Sequence, residues 1–207
     1  MISEYDHFAE NFSETRQKSW PEFDLVKPYI KKNDRILDLG CGNVRLRKFL
    51  PTEKIPEGSF FGLDISRNLL KIAKQNFPKE HFFYGDFAGK LPFGADNFDF
   101  IFSIASFHHL LNKKDQNNFL QECHRILKPK GKIFITTWCL PKKYFWPNIL
   151  NFRFKNWIIP WGKNKYPRTY RHVTNKNLEK LFKKNNFNII FSKKFQERNF
   201  LILGEKK

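Results

Sequence analysis

The sequence predicts a single α/β domain, residues 1–207, with a seven-stranded, mostly parallel sheet and helices on both faces. Three observations carry this. Short apolar runs alternate with stretches of helical periodicity along most of the chain. A glycine-bearing turn, Asp38-Leu39-Gly40-Cys41-Gly42-Asn43, follows the first of these runs. Acidic residues, Asp38, Asp64 and Asp86, stand at the ends of the first three.

Residues 1–32 are expected to form a helical cap, with a helix opening at Trp20-Pro21, since proline suits a first helical turn. Ile36–Leu39 reads as the first strand and Val44–Leu50 as the helix after it. Phe60–Leu63 is the second strand. A helix capped by Ser66 follows, carrying Leu69, Leu70, Ile72 and Ala73. Phe82–Tyr84 and Phe98–Ile104 supply the third and fourth strands. The stretch Gln116–Leu127 sets Phe119, Leu120, Cys123, Ile126 and Leu127 on one helical face. Lys130-Gly131 ends that element, and the β-branched run Ile133–Trp138 is the fifth strand. Thr174 caps a last helix with Leu178, Leu181 and Phe182, before strands at Asn188–Phe191 and Phe200–Leu203. Between the fifth strand and that helix lies an insert, residues 140–170, rich in Trp, Phe, Pro and Lys and read as a lid.

Composition bounds the function. With 41% hydrophobic residues and 25 Phe, the chain can bury a sizeable core. No run approaches the ~20 apolar residues that cross a bilayer, and MISEYDHFAE lacks the basic-then-apolar pattern of a signal peptide. Cys41, Cys123 and Cys139 show neither disulfide nor zinc spacing, so a reducing cytoplasm is expected. The net charge of +18 is uneven: residues 140–207 hold 17 Lys/Arg against 3 Asp/Glu. Such a one-signed region attracts polyanions, although a solvated lysine surface has the same composition.

Glycines at a strand-to-helix turn let backbone approach a ligand. The spacing here is D-x-G-x-G rather than the G-x-G-x-x-G of nicotinamide-binding folds. Alone it could be a tight structural turn. Asp64 can accept hydrogen bonds from ribose hydroxyls, and Gly85-Asp86 can read an adenine amino group. The set resembles the class I, Rossmann-like methyltransferases that use S-adenosyl-L-methionine. The resemblance implies Gly40 and Gly42 along the methionine end of that cofactor, Asp64 on the ribose and Asp86 on the adenine, with Asp38 and Ser103 also among the cofactor-binding residues. One position departs: the family has glycine where this chain has Val44, and a β-branched side chain there crowds the cofactor or disfavours the turn.

A closer resemblance spans nearly the whole chain. Tyr5-Asp6, Ala9, Phe12-Ser13, Thr15-Arg16 and Trp20-Pro21 are similar to the N-terminal signature of the wobble-uridine tRNA methyltransferases. That family esterifies carboxymethyluridine, and in animals related domains are fused to an AlkB-type dioxygenase. Ser103-Ile104-Ala105 with His108-His109-Leu110, Pro160-Trp161, Thr169–Val173 and Glu197-Arg198-Asn199 also resemble family positions. The family tends to Arg-Tyr-Tyr-His where this chain has Thr169, Tyr170, Arg171 and His172, which loosens the inference about substrate. The resemblance implies a tRNA partner and, as in eukaryotic relatives, a small zinc-ribbon activator on an exposed sheet edge.

The charge pattern agrees with RNA. The insert and tail interleave Lys and Arg with Trp138, Tyr144, Trp146, Trp157, Trp161 and Tyr170, and aromatic faces stack unpaired bases while cations follow phosphates. The same aromatics could simply pack a lid. A carboxylate acceptor is ionised at pH 7 and needs no general base. It does need an orienting cation or donor, for which Arg16, Arg171 and His172 are the candidates, although Arg16 could equally pin the N-terminal helix and His172 cap the next one. His108, Trp161 and Tyr170 are expected around the acceptor, with one of His108 and His109 buried structurally. No metal is expected, because no third ligand converges on the histidines.

Two other readings fit these residues. One is a small-molecule methyltransferase acting on a quinone precursor, with the insert in peripheral contact with a membrane. The other is a non-catalytic RNA-binding module with a degenerate cofactor loop, which Val44 would explain.

Overall fold

The computed structural model describes residues 4–139, 156–162 and 166–207. Among these residues the strands are β1 (Ile36–Leu39), β2 (Phe60–Asp64), β3 (His81–Tyr84), β4 (Phe98–Ile104), β5 (Leu127–Trp138), β6 (Asn156–Trp161), β7 (Tyr166–Arg171), β8 (Phe187–Phe195) and β9 (Asn199–Lys206). The helices are α1 (Ala9–Glu14), α2 (Arg67–Asn76), α3 (Lys113–Ile126) and α4 (Asn175–Lys184). Seven strands form one sheet in the order β3-β2-β1-β4-β5-β9-β8, in which β9 runs antiparallel to both neighbours. The expected sheet is therefore present. Its order reverses between β1 and β4, and open sheets bind ligands outside the strand ends at such a switch.

Strand periodicity divides the core in two. Leu37, Leu39, Phe61, Leu63 and Ile101 face α3 and α4, meeting Phe119, Leu120, Cys123, Leu178 and Phe182. Ile36, Phe60, Phe100, Phe102 and Phe134 face the other way, against Leu70 and Ala73 of α2 and Phe23, Val26 and Ile30 of the N-terminal segment. A buried ion pair ties the loops beneath: Arg47 Nε lies 2.6 Å from Glu80, whose other oxygen accepts from the amides of Gly58 and Phe60.

Several boundaries differ from the sequence expectation, each for a local reason. Residues 44–50 make only a 3-10 turn, Leu46–Phe49, because Val44 sits at φ 60 and Leu50 is extended before Pro51. The segment opening at Trp20-Pro21 is likewise 3-10, Pro21–Leu25 and Lys27–Tyr29, so the only α-helix among the described residues of the N-terminal cap is α1. α3 begins earlier than expected, at Lys113, where Asn112 accepts from the amide of Asp115. It ends at Ile126, and Leu127 is already strand, paired with Phe98. Ile72 turns from the core to a surface groove. Ser66 and Thr174 cap α2 and α4 as the sequence suggests.

The 140–170 insert contributes an antiparallel hairpin, β6–β7, that the sequence did not announce. The insert's Tyr144, Phe145, Trp146, Phe152 and Phe154 lie outside the described residues, as does the side chain of Trp161. Among the described residues no helix is long and apolar enough to cross a membrane.

Candidate active site

The crevice at the sheet reversal is built from the β1 turn. Gly40 (φ 79) and Gly42 (φ 54) occupy the left-handed region, which side chains resist. A Cβ on Gly40 would stand 2.5 Å from Ser106 Cβ and 3.3 Å from the Phe87 ring. The turn is docked on β2 by Gly40 N donating to Leu63 O at 2.8 Å, and by Gly42 N donating to Asp64 Oδ2 at 2.8 Å. Asp64 Oδ1 accepts from Ser66 N. Each Asp64 oxygen so retains accepting capacity for a ribose. Burial pushes the Asp64 carboxyl up, and the amides of Ser66 and Gly42 oppose that rise.

Asp38 is 4% exposed, and its Oδ1 has no hydrogen-bond partner among the described residues. Burial, with the Asp64 charge adding to it, lifts its pKa to about 8. A buried acceptor of this kind calls for a donor or cation. Asp86 lies exposed at the end of β3, where it accepts from Ala88 N at 2.8 Å. The structure therefore brings Asp38, Gly40, Gly42 and Asp64 together and sets Asp86 at the rim.

Ser103 is placed otherwise than expected. It is wholly buried under the turn, 2.7 Å from Ser106 Oγ, and Ser106 donates its one proton to Leu39 O at 2.6 Å. Ser103 must therefore donate to Ser106, so its hydroxyl braces the Gly40 turn from behind.

The N-terminal segment closes over the crevice. Asp6 accepts from Ser66 Oγ at 2.6 Å and from Asn68 N at 3.1 Å, while Asn43 donates to Ser13 Oγ at 3.1 Å. Tyr5 OH lies 3.0 Å from His109 Nε2. On its far side, His109 Nδ1 lies 3.0 Å from Thr169 O. A carbonyl only accepts, so Nδ1 carries the proton and Nε2 accepts from Tyr5. Burial holds the His109 pKa down at about 4 and keeps His108 well below the usual imidazole range, so both rings are neutral at pH 7.

Beside this junction lies an aromatic cluster from three elements, β5, β7 and the turn after β4. Trp138 and Tyr170 are stacked at 4.9 Å between centroids, and His108 and His109 stand 4.9 and 4.8 Å from Tyr170. Arg168, 3% exposed, holds its guanidinium 5.3 Å from the Trp138 ring and 5.2 Å from Tyr170.

Of the residues expected at the acceptor, His108 and Tyr170 meet here, both buried. Arg171 and His172 do not. Arg171 lies on the opposite face of β7, donating to Leu111 O and Asn156 Oδ1, and His172 packs edge-on against Phe200 at 6.0 Å. Arg16 lies over the Phe12 ring at 4.9 Å. It lines a groove of about 1050 Å³ between the N-terminal segment, α2 and the hairpin, together with Thr15, Asn68, Lys71 and Tyr166. Tyr5, Phe87 and Arg168 were missed as site residues. The Tyr5-Asp6 signature was a signal for the first, whereas Arg168 becomes visible only once β7 is seen as a strand.

Among the described residues no three His, Cys, Asp or Glu are grouped to hold a metal.

Comparison with known proteins agrees with this geometry. Residues 37–135 match a methyltransferase domain family. The tRNA (carboxymethyluridine(34)-5-O)-methyltransferase of Xenopus tropicalis is 34% identical over 140 residues, covering 68% of this chain and 21% of that protein. The Arabidopsis thaliana enzyme of the same name is 30% identical over 169 residues, 79% of this chain and 40% of that protein. The chain thus spans a fifth to two fifths of these curated relatives. The demethylmenaquinone methyltransferase of Anoxybacillus flavithermus is 27% identical over 180 residues, 82% of this chain and 72% of that protein. In fold, a SAM-dependent methyltransferase from Methanosarcina mazei superposes with a TM-score of 0.76 at 19% identity, over 91% of this chain and 98% of that one. A Haloferax volcanii methyltransferase in complex with the Trm112 methyltransferase activator gives 0.72 at 19% identity, over 98% and 95%. With the glycine turn, the carboxylates at the strand ends and the sheet order, these likenesses identify the family: the chain belongs to the class I S-adenosylmethionine-dependent methyltransferases.

Proposed function

We propose that this chain binds S-adenosyl-L-methionine at the β1 turn and methylates the carboxymethyl group of a wobble uridine in tRNA. One observation carries the choice of acceptor. The N-terminal signature residues are built into the site, Tyr5 on His109 and Asp6 on the cap of α2, where plain cofactor binding does not require them. The curated tRNA methyltransferases at 34% and 30% identity support the same reading.

The residues fit the cofactor. Asp38 Oδ1 offers the methionine ammonium a buried acceptor, the glycine turn leaves room for backbone contact, and Asp64 retains accepting sites for the ribose. When bound, S-adenosyl-L-methionine supplies a methyl group activated on a sulfonium. The chain's own part is to hold an ionised carboxylate in line and exclude water, for which the neutral His108, His109, Tyr5 and Tyr170 make an enclosing wall. No group needs to remove a proton. The basic surface of α4 and β8, with Lys183, Lys184, Lys193 and Lys194, would track tRNA phosphates. The free edge of β3 would take an activator subunit, and a cytoplasmic setting suits a tRNA substrate.

A second reading is a quinone-precursor methyltransferase. It is favoured by the demethylmenaquinone relative and by Ile158, 61% exposed on the hairpin, where a membrane surface could meet it. Transfer of labelled methyl from S-adenosyl-L-methionine into total tRNA, followed by mild alkali, separates the two. Label released as methanol supports the carboxymethyl acceptor; alkali-stable label moves the chemistry to a base or ribose; unlabelled tRNA rejects the proposal.

A further inference from the structure

Helix α2 holds three cations and no acidic residue. Arg67, Lys71 and Lys74 stand four and then three positions apart, so they share one face, and all three are exposed. Helix stability does not explain them. Like charges at these spacings repel, and Arg67 occupies the first turn, where the helix dipole disfavours a cation. None of the three makes an ion pair among the described residues.

The same face walls a cleft. A cavity of about 440 Å³ lies between α2 and the end of β3, lined by Arg67, Leu70, Lys71, Lys74, Gln75 and Tyr84, with no carboxylate among them. Tyr84 is 41% exposed, and the Arg67 guanidinium stands 3.8 Å from its ring centroid. One wall of the cleft therefore combines an aromatic face with a cation. Lys71 and Gln75 also line the larger groove that carries Arg16 and Tyr166, so cleft and groove meet across one ridge of α2. Asp6 and Glu10 bring negative charge to the groove, which the cleft lacks.

We infer that the cleft between α2 and β3 is a subsite for single-stranded RNA, in which an unpaired base stacks against Tyr84 and Arg67 while its phosphates meet Lys71 and Lys74. Cations track a phosphate backbone, and aromatic or guanidinium faces take bases that a duplex keeps stacked inside. A small anion would need the lysines alone; the open ring among them is what a base uses. The inference rests on the tRNA reading above and gives the strand flanking the modified nucleotide a path over α2, beside the N-terminal segment that Asp6 fastens to Asn68. The cleft opens on the helix-packed face of β3, so the backbone edge of that strand stays available to an activator.

The test measures fluorescence anisotropy of fluorescein-labelled oligouridine and of a blunt RNA duplex on the intact chain, across a salt series. Wild type, Lys71→Gln/Lys74→Gln, Tyr84→Ser and Tyr84→Phe are compared. Wild type should bind oligouridine in preference to the duplex. The double lysine variant should weaken oligouridine binding and flatten its salt dependence by roughly 1.4 units of slope, the share of two phosphate contacts on a single strand. Tyr84→Ser should weaken binding about tenfold with the slope unchanged, and Tyr84→Phe, which keeps the ring, should match wild type. The thermal midpoint of the lysine variant should hold or rise, because repulsion along α2 is relieved. If Tyr84→Ser does not fold, the lysine variant decides.

Oligouridine affinity within about twofold of wild type in the folded serine and lysine variants overturns the subsite. So does an equal loss for the duplex, which would mark a diffuse phosphate field, or no preference for single strands in wild type. Binding to phosphatidylserine vesicles that the same variants abolish, with RNA binding unaltered, would overturn it in favour of a membrane surface. The expected losses without ester formation on tRNA would instead overturn the wobble-uridine reading and leave the subsite in place.

Discussion

Replacing Gly40 with alanine tests the β1 turn directly. Two costs add. An alanine at φ 79 loses roughly 1–2 kcal/mol to left-handed strain. Its Cβ would stand 2.5 Å from Ser106 Cβ and 3.0 Å from Ser106 Oγ. Ser106 cannot simply yield, because its hydroxyl is anchored on Leu39 O and supports Ser103. Overpacking of this kind costs about 1–3 kcal/mol. The sum, roughly 2–5 kcal/mol, is a large fraction of a domain's typical stability and should lower the thermal midpoint by roughly 4–20 °C at this chain length. The assay is urea and thermal unfolding of a double-mutant cycle with Ser106→Gly. In the Ser106→Gly background the severe clash is gone while the backbone strain and the 3.3 Å Phe87 contact remain, so Gly40→Ala should cost about 1–3 kcal/mol less there than in wild type. Equal costs in both backgrounds would refute the clash. A cost below about 1 kcal/mol in wild type would refute the turn geometry itself.

Other outcomes follow from neighbouring residues. The Asp38 pKa is raised from 3.8 to about 8, so the folded state holds a proton that the unfolded chain releases, and stability declines as pH climbs through that window. Asp38→Asn, neutral at every pH, should therefore gain on wild type between pH 4 and 8 with a slope approaching one proton; a pH-independent difference in unfolding free energy would contradict it. Val44 combines φ 60 with a fully buried side chain. Val44→Gly should relieve roughly 1–2 kcal/mol of strain but lose roughly 1.5–3 kcal/mol of burial, a net destabilisation near 1 kcal/mol in denaturant titrations; clear stabilisation would show that packing does not hold this turn. Asp64→Ala should weaken S-adenosylmethionine binding more than tenfold by calorimetry, and affinity within threefold of wild type would remove Asp64 from the ribose. Neutralising Lys183, Lys184, Lys193 and Lys194 should flatten the salt dependence of tRNA binding by up to about three to four units of slope; an unaltered slope would leave these lysines merely solvated.

What the sequence revealed follows from the range of the interactions involved. The parallel strands were legible because a strand buried on both faces is a near-continuous apolar run, as in Phe100-Ile101-Phe102 of β4. The glycine turn and Asp64 were legible because their spacing is local and their chemistry restrictive. Residues 44–50 misled because their apolar spacing is helical, while a left-handed Val44 and the following Pro51 confine the chain to one 3-10 turn. The acceptor end was least legible. β6 and β7 hold Pro160 paired with Pro167, tryptophan, arginine and no clean alternation, so no period marks them as strands. Without that strand, Arg171 and Arg168 are equivalent in sequence. The hairpin turns the first toward Leu111 and the second into the cluster.

His109 has a consequence for the order of events. One ring joins three pieces of chain distant in sequence: Tyr5 of the N-terminal segment, its own turn after β4, and Thr169 of the hairpin. The same N-terminal segment is fastened at its other contacts to Asn43 and Ser66, beside the glycine turn. Whatever settles at either end therefore orders an element that both ends share. Free energy spent immobilising that segment for one ligand need not be supplied again for the second, so each should tighten the other's binding by the same factor. Methyl donor and acceptor would then behave as thermodynamically coupled ligands, and Tyr5→Phe, which keeps the ring but removes the hydroxyl that meets His109, should weaken the communication between them.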